Sequence, residues 1–427
     1  ETTASFTLNA NRGTTMNAGG GTFDVNAGTT LRYDGILAGA GTLNKTDTGT
    51  LRLGGATTNT HTGDINVTAG TLRIDKSVAN TAIGDAANVT VASGATLRFS
   101  GGQSETIGSL AGGGTVDNTD AAAITLTTGG NNASTNFSGV IQDTGGNLTV
   151  AKTGTGTFTL SGTTANTFAG NLNINDGTVA LGKTAGVNAY AGSTINIGNG
   201  AGAADSAVLR LDAANQIVNT AALVFASDGR LDLNGQVETV ASIAGSGEIL
   251  IGTGQLTAGN ALNTTFSGEL TGTTGTFTKA GSGTLTLASI INYDGVFELA
   301  AGTLQLSGIT ANIGTLNITG NTTIDFSGTS TLNVTNFNIT SGVTLTITNW
   351  ANATDYFYAQ NWSGAVFDTT GITPMNQVVF NGFTANDTKW QGYDSQITPV
   401  PEPATYGALL LGGLVGLFAW RRRQKAG

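Results

Sequence analysis

Residues 153–181 read TGTGTFTLSGTTANTFAGNLNINDGTVAL and contain three short alternating runs. Phe158 and Leu160, Leu172 and Ile174, and Val179 and Leu181 fall on one side, while Thr159, Asn173 and Ala180 fall on the other. A two-residue period belongs to a strand, whose successive side chains point to opposite faces. Gly, Asn, Asp and Ser fill the gaps, and these residues tolerate the positive backbone angles of tight turns. Each run is only a few residues long, so none can bury a core alone.

The same stretch occurs twice more. From Val150 through Phe158 and Leu172 to Val179 the apolar intervals are 8, 14 and 7 residues, and from Leu43 through Leu51 and Ile65 to Leu72 they are again 8, 14 and 7. Phe277, Leu285, Phe297 and Leu304 give 8, 12 and 7, so two residues have been lost from one connection. A loss between strands is expected where the strands are the packed part. A second module lies between the copies: LRFSGGQSETIGSLAGGGTV at 97–116 is matched by LDLNGQVETVASIAGSGEI at 231–249, with Ile107, Leu110 and Val116 spaced like Val240, Ile243 and Ile249. Taking Phe158 to Leu285 as one step, the composite unit is 127 residues long, and Ser138-Gly139 and Ser267-Gly268 mark equivalent corners. Internal repetition of this kind points to a solenoid, in which each unit buries its apolar face against its neighbours.

Composition agrees. Charged residues make up 10% of the 427 and Gly contributes 65 of them, against about 25% charge and half as much Gly in ordinary globular domains. Disorder would also be Gly-rich, but it would lack the periodic Leu, Ile, Val and Phe. No proline precedes Pro374, which suits continuous sheet because proline cannot donate a ladder hydrogen bond. With no helical pattern and turns too tight for crossover helices, the economical fold is all-β: a single-stranded parallel β-helix over residues 1–350. About twenty residues would make a coil, and some sixteen or seventeen coils at roughly 4.8 Å each would give a rod of about 80 Å. The first coil has no obvious polar cap beyond residues 1–5, which leaves an edge open to end-to-end or lateral self-association, as a homo-oligomer or fibre. The absence of Cys is compatible with export, and with no basic, apolar leader at Glu1 any signal peptide is expected to have been removed or left out.

Near Trp350 the character changes. Trp350, Trp362 and Trp390 gather here with Tyr356, Tyr358 and Tyr393, and residues 351–395 read as an aromatic-rich cap closing the bore. A sugar-binding aromatic platform is the sharper reading of the same residues. Residues 396–403 form a Pro-rich linker containing Pro401, Glu402 and Pro403, followed by seventeen uncharged residues at 404–420 and then Arg421, Arg422 and Arg423 in a basic tail, 421–427. Seventeen helical residues reach about 25 Å, the short limit for a transmembrane helix. Tyr406 and Trp420 stand at its ends, and the Arg cluster marks the cytoplasmic side. The β region must then lie outside.

This tail resembles the PEP-CTERM sorting signal, and the repeats resemble autotransporter-associated β-strand repeats, whose common form is close to G-T-L-T-L-S-G-x-N-T-Y-x-G. Residues 156–170 match it with Phe168 in the aromatic place and two extra residues. The resemblance implies a right-handed coil, an exosortase-type processing enzyme as partner, transient anchoring in the inner membrane, and a final place on the cell surface or in the extracellular matrix, associated with exopolysaccharide or biofilm. Processing is expected within residues 400–404, with Arg421, Arg422 and Arg423 holding the helix beforehand.

The chain offers little chemistry. His61 is the only histidine; its surroundings, Asn59-Thr60-His61-Thr62, read as a solvated turn. Carboxylates are spread about one per coil, so no calcium cage is expected, and neither is a cofactor. The Gly-rich runs lack the Lys-Ser or Lys-Thr of a phosphate loop. Four outward positions carry Arg32, Arg52, Arg73 and Arg98. If they stack they form a basic stripe suited to an acidic polysaccharide; isolated solvated arginines are the plainer reading. Four of the 17 basic residues follow Trp420, so losing the tail takes the net charge from −10 to −14, which argues against nucleic acid. The expectation is a non-catalytic structural or adhesive protein. The rivals are a β-helical polysaccharide lyase or hydrolase, which needs acidic groups on neighbouring coils, and the passenger of an autotransporter, which needs a membrane β-barrel.

Overall fold

The computed structural model describes residues 1–400. Apart from a short 3-10 turn at Met375–Gln377, the regular structure there is strand. Two compact units divide the chain, Glu1–Thr278 and Lys279–Gly427.

In the first unit the chain winds as a parallel β-solenoid. Leu31 pairs with Leu51, Leu51 with Leu72 and Leu72 with Leu97, so successive coils take 20, 21 and 25 residues. Val116 and Ile141 continue this column. A second column runs through Leu126, Val150, Leu172, Ile195, Leu223 and Ile243, and a third through Val179, Leu209, Leu231, Ile249 and Leu270. None of these side chains is more than 3% exposed, and each contributes about 1.5–3 kcal/mol by leaving water. The six apolar residues of the 153–181 stretch are all buried, as their alternation requires. Outward positions form amide ladders, with Asn66 Nδ2 donating to Asn44 Oδ1 at 3.1 Å and Asn196 Nδ2 to Asn173 Oδ1 at 2.8 Å.

The two Ser-Gly corners are the same structure. Ser138 and Ser267 each donate their backbone N–H, at 2.7 Å, to the carbonyl of Gly112 and Gly245. A methyl group at Gly139 or Gly268 would overlap the carbonyl oxygen of Gly114 or Gly247, which leaves only glycine at both. At the first coil Thr2 bridges to Val25 and donates to the carbonyl of Asp24 at 3.1 Å, while Phe6 stays 46% exposed.

In the second unit the strands lengthen. Ile291–Leu299, Thr310–Ile318 and Thr331–Ile339 have nine residues each and pair in parallel, as do Gly302–Ser307, Thr322–Ser327 and Leu345–Thr348. The parallel pattern does not stop at residue 350, where the sequence reading placed its end. Tyr356–Trp362 pairs with Thr331–Ile339, and Val378–Phe380 with Leu345–Thr348. Aromatic rings converge here: Trp350 lies 5.1 Å from Phe326 and 5.0 Å from Phe380, and Trp390 stacks on Phe367 at 3.7 Å while donating its indole N–H to the carbonyl of Ala359 at 2.9 Å. The expected linker is also partly structured. Ile397–Pro399 pairs antiparallel with Thr388–Trp390, and Val400 donates to the carbonyl of Asp387 at 2.7 Å. Among the described residues no helix is long and apolar enough to cross a membrane. The helix expected at 404–420 lies outside them, together with Pro401, Glu402, Pro403, Arg421, Arg422 and Arg423.

Candidate functional site

The polar groups inside the coils recur with the repeats. Lys45, Lys152 and Lys279 occupy the same place in the three copies, at most 3% exposed. Each turns its ammonium onto three backbone carbonyls. Lys45 donates to Thr46, Asp47 and Ala69 at 2.7, 2.6 and 3.2 Å; Lys152 to Thr153, Gly154 and Asp176 at 2.7, 2.6 and 3.2 Å; Lys279 to Ala280, Gly281 and Ala301 at 2.6, 3.0 and 3.1 Å. An ammonium has three donors, so the clip is saturated. Two of the carbonyls belong to the turn just after the lysine and the third to the next coil, which fastens neighbouring turns together. Burial pushes Lys152 and Lys279 down to about 8 and also lowers Lys45, where Asp47 and Asp24 oppose it.

Two further positions behave alike. Asn59 and Asn166 each accept from a backbone N–H of the preceding coil, Leu37 or Ile141, and donate to a carbonyl of the next, Ala82 or Ala189. In the second module Glu105 accepts from the N–H groups of Ile83 and Ala82, and Glu238 from those of Gln216, Ile217 and Thr239. Both are 1% exposed, and burial pushes both carboxyls up to about 7 against those hydrogen bonds. These lysines and glutamates were missed in the sequence.

His61 corrects an expectation. It is 1% exposed, with Nε2 2.7 Å from the carbonyl oxygen of Gly41, not solvated in a turn. It stands where the other copies place Phe168 and Tyr293, both fully buried, so it is a core residue in the aromatic place of the repeat.

The four arginines do come together. Arg32 pairs in register with Arg52, Arg52 with Arg73 and Arg73 with Arg98. They do not form an open row of cations. Arg32 bonds Asp34 through Nε at 2.6 Å, and Arg52 and Arg73 both reach Asp75, the latter at 3.9 Å. Arg98 has Asp117 opposite it in the next coil. Like charges stacked in register repel, and Asp34 and Asp75 offset this at Arg32, Arg52 and Arg73, while Asp117 accepts from Gln142 and Thr144. Among the described residues no group of three or more His, Cys, Asp or Glu is placed to hold a metal ion.

The fold and its recurring clips define a repeat-built parallel β-solenoid. The Passenger-associated-transport-repeat family matches residues 43–74, 150–181 and 277–306, the three copies read from the intervals, and the PEP-CTERM protein-sorting motif matches 399–423. The chain therefore carries three such repeats and a C-terminal sorting motif. It is 33% identical over 378 residues to the Adhesin BmaC autotransporter of Brucella suis biovar 1 (strain 1330), a match covering 70% of this chain and 11% of that protein. No solved structure matches.

Proposed function

We propose that this chain is a non-catalytic adhesive or structural protein of the cell surface or extracellular matrix, delivered through its sorting motif and associated with exopolysaccharide. One observation carries the reading: the buried lysines, asparagines and glutamates of the repeats direct their polar groups to the backbone of neighbouring coils, as a scaffold requires. The sorting motif implies processing by an exosortase, and likeness to a protein named an adhesin supports a surface role. The aromatic cluster around Trp362 and Trp390 serves as the cap of the second unit, and exposed Phe6 supplies a contact for self-association. The test is recovery of the protein from the native cell surface, with its mass measured, alongside a hydrolysis screen on acidic and neutral polysaccharides. A surface species lacking residues 421–427 and without turnover is expected. Robust turnover, lost when one carboxylate is replaced, would overturn the reading in favour of an enzyme.

A further inference from the structure

On the outer side of the long strands of the second unit, Asn292, Asn312 and Asn333 stand in register, and the next residue in that line is Tyr358. Asn312 Nδ2 donates to Asn292 Oδ1 and Asn333 Nδ2 to Asn312 Oδ1, both at 2.7 Å. A primary amide has two N–H donors, so the ladder uses one donor each of Asn312 and Asn333 and leaves their second N–H groups, and both of those of Asn292, outside these two bonds. At its end Tyr358 lies parallel to Tyr356, 5.7 Å between centroids and 6° between planes. The two rings share a face because they are two residues apart on one strand.

Two clefts meet at Tyr358. One of about 510 Å³ takes in Tyr356, Tyr358, Gln391, Tyr393 and Gln396; the other, of about 370 Å³, lies over Asn312, Asn333 and Gln360. Tyr393 is 82% exposed, a large ring with no packing role to explain it. The Oε1 of Gln391 is buried yet accepts no hydrogen bond from the protein. Lys389, the one cation lining either cleft, is held by Asp368 at 3.0 Å, whereas Asp294 and Asp394 line the walls as carboxylates.

We propose that this groove binds a neutral, extended polysaccharide of pyranose rings, and the proposal rests on the surface reading above. Pyranose rings present apolar C–H faces that pack on aromatic faces, while their hydroxyls match an array of amide donors and acceptors. The spacing of stacked strands, roughly 4.8 Å, is close to the length of one sugar ring in a chain. With its cation already paired and carboxylates on its walls, the groove disfavours a polyuronate.

The test is calorimetric titration of the full chain with cellohexaose, laminarihexaose and polygalacturonate. At least one neutral hexasaccharide is expected to bind and polygalacturonate to bind more weakly. Tyr358→Leu and Tyr393→Ala should each weaken the neutral sugar at least tenfold, Asn333→Ala severalfold, and Asn338→Ala, on a separate ladder, not at all. Tyr393 is so exposed that its variant keeps the test sound should Tyr358→Leu fail to fold. No binding of either neutral sugar, binding by either folded tyrosine variant equal to that of the parent, or preference for the polyuronate would each overturn the proposal. Those outcomes leave surface recovery of the protein unchanged, so failure of the groove and failure of the surface role are told apart.

Discussion

A lysine is an unusual core residue, and Lys152 shows what makes it tolerable. Its ammonium meets three carbonyls at 2.6–3.2 Å, so charge and acceptors satisfy each other out of water. Replacing it with Met removes the donors and strands those acceptors. Lys152→Met is expected to cost about 3 kcal/mol in urea unfolding, whereas Lys389→Met, whose partner lies at the surface, should cost less than about 1 kcal/mol. His61 gives a second contrast. Because the other copies place an aromatic there, His61→Phe should stay within about 1 kcal/mol of the parent, while His61→Asp, harmless in a solvated turn, should cost about 3 kcal/mol or more by burying a charge.

At the level of the module, the two kinds of repeat carry buried groups of opposite sign. Glu105 and Glu238 hold their protons up to about pH 7 in the fold, against an ordinary carboxyl value of 4.5. Their contribution is therefore fully present below pH 4.5 and is lost as pH rises through 7. Lys152 and Lys279 release theirs near pH 8 in the fold, against 10.5 ordinarily, so stability is regained as pH rises from about 8 towards 10.5. Unfolding midpoints across pH 4.5–10.5 should show a minimum between 7 and 8, and Glu105→Gln with Glu238→Gln should flatten the acid side alone. Much of the module was legible in the sequence, because a strand's two-residue period survives in runs as short as Leu172 to Ile174. The buried ions were not, since a lone Lys or Glu reads as solvent-facing. A signal existed: Lys45, Lys152 and Lys279 are each in phase with an inward residue, Leu43, Val150 or Phe277, and each precedes Gly49, Gly156 or Gly283 by four residues. Glu105 is likewise in phase with Ile107, and Glu238 with Val240. The arginine column was legible as a register, but its neutralisation was not, because Asp75 answers Arg52 from the next coil.

For the molecule as a whole, ordered pairing persists to Val400, one residue before the sorting triplet. Replacing Glu402 with Ala is expected to leave the protein in the inner-membrane fraction with residues 421–427 still attached, read by fractionation and mass; an unchanged surface yield of shortened protein would refute processing at that triplet. The lysine clips also bear on how such a chain changes length over generations. The third acceptor lies 24 residues beyond Lys45 and Lys152 but 22 beyond Lys279. The missing pair was lost just ahead of the aromatic position: Leu53 to His61 and Leu160 to Phe168 span eight residues, whereas Leu287 to Tyr293 spans six, in the turn that precedes the strand Ile291–Leu299. Recombination between copies is thus silent at corners but costly anywhere that parts an ammonium from its distant carbonyl, and the surviving crossovers will be those that exchange whole turns.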